Sequence, residues 1–178
     1  MNADPSPHLQ RSPDPDSSEH PSTQLVIDDL ESLQEMVGQE FPIGAWLTIT
    51  QENIQTFAEV TNDLQWIHLD TVRAQRESPF KATVAHGFFT LSLLSRFLSE
   101  AMQVKGKSLF VVNYGLDKVR FPAPLRVGEQ IRCRFLLRSL AQVPGGHHAV
   151  YAVTVEIKDA LKPCCVAEWL VRYYTSSS

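Results

Sequence analysis

AHGFFTLSLLSRFLSEAM, residues 85–102, is the stretch of sequence that decides the fold. Its large apolar residues are spread over nearly all sides of one helix: Phe88, Phe89, Leu91, Leu93, Leu94, Phe97, Leu98 and Met102. A helix that is apolar all round is buried all round. The stretch therefore predicts one long central helix that the rest of the chain has to cover.

The chain after this helix predicts antiparallel strands. Apolar and polar residues alternate through residues 131–138, and Pro144-Gly145-Gly146 predicts a hairpin turn before a second alternating run, residues 151–157. Further strands are predicted at residues 109–112, 118–121 and, after Lys162-Pro163, 166–173. Because each element must bury its apolar face on another, the pattern predicts an α+β fold with a curved antiparallel sheet wrapped around a long central helix.

The chain before the central helix predicts two helices, a strand and a long connection. Residues 26–36 have the spacing of a short amphipathic helix, and residues 46–50 alternate like a strand. Thr50 is placed to cap a helix that runs to Val60. Residues 61–85 show little periodicity and are long for a connection in a compact domain, which is typical of functional loops.

Composition predicts one domain at residues 25–178, preceded by a disordered tail at residues 1–24. The 178 residues are 43% apolar and 20% charged, as in a single globular domain. The tail holds five of the eleven prolines and five serines but few apolar residues, too few to offset the entropy lost on ordering. A docking or regulatory arm is the functional alternative.

Charge, hydropathy and cysteine usage exclude several function classes. The formal net charge of -4 argues against nucleic acid as the main partner, although a few cations can still hold a small anionic ligand. No stretch approaches the roughly 18 apolar residues of a membrane span, and no export signal is recognisable, so we expect a cytoplasmic protein without membrane association. The three cysteines lack ligand spacing and are expected to be buried thiols: Cys133, Cys164 and Cys165.

Asp63 and His68, in the stretch TNDLQWIHLD at residues 61–70, are candidate acid–base residues. Residues five apart point about 140° away from each other on a regular helix, so they converge on one atom only if a turn separates them. Asn62-Asp63 supplies turn-forming side chains. The same pair is also consistent with a capping Asp and a loop His.

Gly87 opens the predicted central helix, whose first N–H groups have no partner within the helix. Glycine permits close approach to that backbone, and the helix dipole favours negative charge there. An enolate oxygen could therefore bind at Gly87, and one such donor contributes about 100- to 1000-fold in rate. Tight packing at a helix start is the structural alternative for this glycine.

Residues 37–174 resemble the MaoC-like (R)-specific enoyl-CoA hydratases. The resemblance rests on Asp63 with His68, on Ala85-His86-Gly87, and on residues 113–121 (NYGLDKVRF) followed by Pro122-Ala123-Pro124. It implies a hot-dog fold and a homodimer, in which Asp63 and His68 hold the catalytic water and the amide of Gly87 binds the thioester carbonyl oxygen.

The sequence departs from the family pattern at two positions. Asn62 stands where the family commonly has Gly, and Trp66 stands where Pro is frequent. Asn tolerates left-handed backbone angles better than most residues, so we expect the turn before Asp63 to persist. An altered loop affects the rate more than the type of reaction.

The reaction that the resemblance implies is reversible syn hydration of trans-2-enoyl-CoA to (R)-3-hydroxyacyl-CoA, with medium to long acyl chains. One water held by a carboxylate and an imidazole supplies both the hydroxyl and the proton. No metal and no separate cofactor are expected, since coenzyme A is part of the substrate. Because fold alone does not settle function, an acyl-CoA thioesterase and a non-catalytic acyl-CoA binding protein are the alternatives.

Further residues have candidate roles beside the catalytic pair. Ser95 resembles a serine that some family members place near the active-site Asp, and a hydroxyl bonded to its own helix is equally expected. For His86, a structural hydrogen bond is favoured over a third catalytic role. Candidates for a coenzyme A groove, with a solvated strand face as the alternative, are Asn113, Tyr114, Lys118 and Arg120.

Overall fold

A computed structural model describes residues 24–105 and 110–175. The predicted tail, apart from Gln24, lies outside the described residues. In chain order the elements are β1 (Leu25–Ile27), α1 (Leu30–Gln34), β2 (Leu47–Thr48), α2 (Gln51–Thr61), α3 (Trp66–Leu69), α4 (Thr71–Glu77), α5 (Gly87–Ser92), α6 (Leu94–Ala101), β3 (Met102–Val104), β4 (Phe110–Arg120), β5 (Gln130–Val143), β6 (Gly146–Ile157) and β7 (Cys165–Tyr174).

Five strands form one antiparallel sheet in the order β2-β5-β6-β7-β4. Burial alternates residue by residue through residues 130–138 of β5, residues 149–157 of β6 and the whole of β7, as the period of the sequence predicts. The buried side of the sheet packs against α6, whose inward residues are Leu94, Phe97, Leu98 and Ala101. The predicted α+β architecture, a curled antiparallel sheet on a central helix, is confirmed.

The central helix differs from the prediction in two respects. It is divided at Leu93, whose N–H bonds to Thr90 O at 3.3 Å in a tighter turn, so α5 and α6 are separate segments. It is also buried on one side only, since Phe88 is 71% exposed. The prediction of burial all round was wrong for a single chain because the sheet of that chain covers only one face of the helix.

The elements before the central helix also differ from the predictions. Residues 25–27 form β1, which pairs in parallel with β3, whereas the prediction assigned residues 26 and 27 to a helix. Residues 61–85 were predicted as an irregular connection, but they contain α3 and α4, which are too short to give a periodic signal. Thr50 caps α2 as predicted, with a reciprocal bond to Asn53.

All three cysteines are buried free thiols, as predicted. Burial raises the pKa of Cys164 to about 12 and that of Cys165 to about 11, which keeps both protonated and unreactive near neutral pH.

None of the described helices is long and apolar enough to cross a membrane.

The β5–β6 hairpin generates a stability prediction. Gly146 has φ +150°, and a Cβ at this position would lie 1.9 Å from the carbonyl oxygen of Tyr173 in β7. Gly146→Ala should therefore lower the free energy of unfolding by about 3 kcal/mol, because backbone strain and a steric clash combine. Urea unfolding followed by circular dichroism measures this loss.

Gly145→Ala is the matched control in the same turn. Gly145 has φ +77°, but a Cβ at this position would meet nothing within 4 Å, so only backbone strain of about 1 kcal/mol is expected. Equal losses of unfolding free energy in the two variants would mean that a clash with β7 is not what excludes a side chain at position 146.

Candidate active site

The turn that exposes Asp63 follows directly from the end of α2. The helix ends at Asn62, which adopts the left-handed conformation with φ 57° and ψ 26°. Asparagine tolerates these angles, so the residue that departs from the family pattern still makes the turn. The chain reverses there, and the carboxylate of Asp63 is left 56% exposed.

His68 lies in α3 and is only 7% exposed. Its Nδ1 is 2.6 Å from Val84 O, and because a carbonyl oxygen only accepts, Nδ1 carries the proton of this bond. Nε2 is therefore the free acceptor of the neutral ring. The backbone of His68 is also held, since Gln51 Nε2 donates to His68 O at 2.8 Å.

Burial lowers the pKa of His68. The hydrogen bond to Val84 and the charge of Asp63 act in the opposite direction, whereas neighbouring His86 lowers the pKa further. The net direction is downward from the ordinary value of 6.5. His68 is therefore a neutral imidazole at neutral pH, in the form that can accept a proton.

The structure brings Asp63 and His68 together, with His86 as a third member of the cluster. One donor atom from each of the three side chains lies within 4.8 Å of the others. The rings of His68 and His86 stack with centroids 3.6 Å apart and planes inclined by 23°. The Asp63 carboxylate and the His68 imidazole are therefore close enough to reach the same small molecule, as the candidate acid–base role needs.

Two imidazoles and a carboxylate are also a common ligand set for zinc. A bound ion lies close to the ring plane of each coordinating imidazole, at about 2.0–2.1 Å from the nitrogen. The planes of His68 and His86 are nearly parallel, with centroids 3.6 Å apart, so one ion cannot lie in both planes beside both rings. The stacked geometry does not fit chelation by this pair.

Gly87 is the first residue of α5 and adjoins His86 in the chain. A Cβ at Gly87 would lie 2.9 Å from two ring carbons of Phe121, so a side chain here would displace that ring. Tight packing therefore accounts for the glycine. It also leaves the N–H of Gly87 at the start of the helix, next to the cluster of Asp63, His68 and His86.

A cavity of about 320 Å³ lies between the central helix and β4. Its lining is mainly apolar and comprises Phe88, Leu91, Ser92, Leu94, Ser95, Asn113, Tyr114, Gly115, Leu116 and Trp169. Ser95 Oγ donates to Asn113 Oδ1 at 3.2 Å. In a single chain Ser95 thus contacts Asn113, and Asp63 does not line this cavity.

The other coenzyme A candidates lie along β4. Lys118 Nζ is 3.1 Å from a carboxylate oxygen of Glu168 in the neighbouring strand, so its charge is partly balanced. Arg120 Nη1 donates to Val119 O at 2.7 Å. The ring of Tyr114 lies 4.4 Å from that of His148. These residues share one edge of the sheet, while Asp63 and His68 lie in the segment between α2 and α5.

Sequence reasoning did not identify the residues that support the candidate catalytic pair, Asp63 and His68. Val84 O orients the ring of His68, and Thr83 Oγ1 donates to Gln51 Oε1 at 2.5 Å, which connects Gln51 to the same segment. The sequence signal available for this region was Ala85-His86-Gly87, which pointed to the helix start rather than to the contacts around it.

Comparison with known proteins gives the family. A sequence model of the MaoC like domain matches residues 32–159. The 3-hydroxyacyl-thioester dehydratase Z of Mycobacterium tuberculosis is 44% identical over 149 residues, which are 83% of this chain and 97% of that protein. Nodulation protein N of Rhizobium leguminosarum bv. viciae is 42% identical over 143 residues, 79% of this chain and 88% of that protein.

A solved structure shares the fold. The unliganded R-hydratase PhaJ1 from Pseudomonas aeruginosa superimposes with a TM-score of 0.62 at 21% identity, over 80% of this chain and 88% of that one. The expected hot-dog fold is thereby confirmed. The chain belongs to the MaoC-like family of hydro-lyases, the hydratases and dehydratases of thioesters, as its motifs predict.

Proposed function

We propose that the protein is an (R)-specific enoyl-CoA hydratase, which adds water reversibly to trans-2-enoyl-CoA and forms (R)-3-hydroxyacyl-CoA. The observation that carries the proposal is the convergence of the Asp63 carboxylate and the His68 imidazole, within 4.8 Å of each other, beside Gly87. The similarity to a protein named as a 3-hydroxyacyl-thioester dehydratase supports it, because dehydration is the reverse of the same reaction.

The proposed mechanism uses one water molecule. Neutral His68 accepts a proton from that water at Nε2, while Asp63 accepts a hydrogen bond from the other water hydrogen. The hydroxyl adds to C3, and the electrons of the double bond move onto the thioester oxygen, where the N–H of Gly87 stabilises the negative charge. The imidazolium then returns its proton to C2, which regenerates the carbonyl and neutral His68.

Stereochemistry and cofactor requirements follow from this scheme. The hydroxyl and the proton both come from the side of the substrate that faces Asp63 and His68, so the addition is syn. No metal takes part, in keeping with stacked imidazoles that cannot chelate one ion. Coenzyme A enters as part of the substrate, and no separate cofactor is required.

The cavity between the central helix and β4 is the proposed acyl site. Phe88, which follows Gly87 in the chain, lines it, so an acyl chain that starts at Gly87 can extend into apolar surroundings. Medium to long acyl chains suit this volume and lining. Lys118 and Arg120 are proposed to lie near the phosphates of coenzyme A.

The cytoplasmic location of the protein stays a prediction.

Removal of either catalytic side chain tests the mechanism. Asp63→Asn and His68→Gln should each lower kcat for octenoyl-CoA at least about 100-fold, because each removes a group that acts on the transition state. The free energy of unfolding should change little. Loss of enoyl absorbance measures hydration, and a thiol reagent measures any release of coenzyme A in parallel.

Asp159→Asn and His147→Gln are the matched controls, at an exposed turn and in β6 outside the site, and should retain normal turnover. Thiol release without loss of the enoyl group would replace the proposal with a thioesterase. Binding of octenoyl-CoA without either reaction would indicate an acyl-CoA binding protein.

The protonation of His68 predicts a pH dependence. Its pKa is lowered, mainly by burial, so the neutral form that acts as base persists to lower pH than in an ordinary histidine. For hydration, the acidic limb of the kcat/KM profile should have its midpoint below pH 6.5. A pH–rate profile of octenoyl-CoA hydration measures this, and an acidic limb centred above 6.5 would contradict the role of His68 as base.

A homodimer is part of the proposal, because β4 is an edge strand with an apolar surface. Within the described chain only β7 pairs with β4. Five apolar or aromatic residues of β4 are between 42% and 59% exposed: Phe110, Val111, Val112, Tyr114 and Leu116. An exposed apolar edge strand is normally protected by charges or covered by another chain. A second copy that pairs through β4 would cover it.

Val112→Lys tests the dimer. A lysine among the exposed apolar residues of β4 places unpaired charge in the proposed interface and should convert the dimer to a monomer, as measured by light scattering coupled to gel filtration. Leu161→Lys is the control, since Leu161 is fully exposed in the β6–β7 turn, away from β4. A wild-type protein that is monomeric at micromolar concentration would remove the dimer from the proposal.

A further inference from the structure

His86 is buried behind the proposed catalytic pair and contacts both of its members. It is 4% exposed and immediately precedes Gly87. Its ring contacts that of Phe57 in α2, with centroids 5.1 Å apart, and stacks on that of His68 in α3, with centroids 3.6 Å apart. Two helices that flank the site therefore fix the plane of this imidazole.

One hydrogen bond joins the ring to the turn at Asp63. His86 Nε2 is 3.0 Å from Asp63 O, and since a carbonyl oxygen only accepts, Nε2 carries the proton. The same nitrogen is 3.9 Å from Asp63 Oδ2, beyond hydrogen-bond distance. His86 thus holds the backbone of Asp63 and leaves the carboxylate available for another partner.

The other nitrogen of the ring has no such partner. Nδ1 of His86 is buried and makes no hydrogen bond within the described chain. Buried polar atoms are nearly always satisfied, so an unsatisfied one in a folded protein calls for an explanation. The ring orientation is set by the single bond at Nε2, by the stacked ring of His68 and by the tilted ring of Phe57.

We propose that His86 is a positioning residue for the hydration: its bond fixes the turn that carries Asp63, and its stacked ring fixes His68, so that both reach the same water. The inference rests on the proposed function, because it assigns His86 a part in that reaction. His86 transfers no proton and acts only through its two neighbours. The competing explanation is core packing that affects folding alone.

Two substitutions separate the bond from the stacking. His86→Phe keeps an aromatic ring but removes the donor, whereas the amide of His86→Gln can place a donor near the position of Nε2. His86→Phe should lower kcat for octenoyl-CoA about 100-fold with KM within about twofold, since small misplacements of reacting groups have effects of that size. His86→Gln should recover at least about tenfold of that loss if the bond to Asp63 matters.

A double-mutant cycle with Asp63→Asn distinguishes positioning from packing. If His86 acts through Asp63, His86→Phe should lower kcat by less than about threefold in the Asp63→Asn background, because the group it positions has already lost its function. His147→Phe, at a partly buried histidine of β6, is the control and should leave kcat unchanged. Independent, multiplicative losses, or equal losses in His86→Phe and His86→Gln, would overturn the inference.

NMR of the imidazole nitrogens tests the bond without reference to turnover. A proton on Nε2 of His86 in the wild-type protein, together with a changed carbonyl chemical shift of Asp63 in His86→Phe, supports the bond. A proton on Nδ1 alone overturns it. The two proposals can fail separately. Wild-type protein that hydrates no enoyl-CoA refutes the proposed function, whereas active protein with a multiplicative cycle refutes only the role of His86.

Discussion

The packing of α6 against the buried face of the sheet is the interaction on which the other features depend. Four residues of this helix, Leu94, Phe97, Leu98 and Ala101, belong to the same buried cluster as inward residues of the central strands, which include Phe135, Tyr151 and Trp169. Burial of side chains of this size contributes about 1.5–3 kcal/mol each and fixes the position of the helix on the sheet. Since α5 continues directly into α6, the position of Gly87 is fixed by the same contact.

Backbone hydrogen bonds around residues 83–85 attach the candidate active-site segment to this core. Val84 N donates to Ile67 O at 3.1 Å, and Ala85 N donates to Leu125 O at 2.7 Å. The first bond aligns the chain before α5 with α3, so that Val84 O also meets the ring of His68. The distance between the imidazole and Gly87 is therefore set by main-chain geometry rather than by flexible side chains.

The sequence predicted what depends on local pattern and missed what depends on distant contacts. The alternation through residues 131–138, the Pro144-Gly145-Gly146 turn and the left-handed turn at Asn62 are all local, and all are confirmed. Strand β1 was misassigned because its partner is β3, 77 residues further along the chain from Leu25 to Met102. Asp63 and His68 were readable as a motif, but the bonds to Val84 O and from His86 depend on backbone atoms that no local pattern reports.

The exposure of Phe88, within a helical stretch that is apolar on nearly all sides, follows from the limited width of the sheet. The sheet of a single chain is wide enough to cover α6 but not the other face of α5, and the sequence is nevertheless apolar on that face. The uncovered face lies beside the cavity and beside β4, an edge strand whose side chains are also apolar. A helix that its own sheet only half covers thus leaves apolar surface next to the proposed acyl site and the proposed dimer edge.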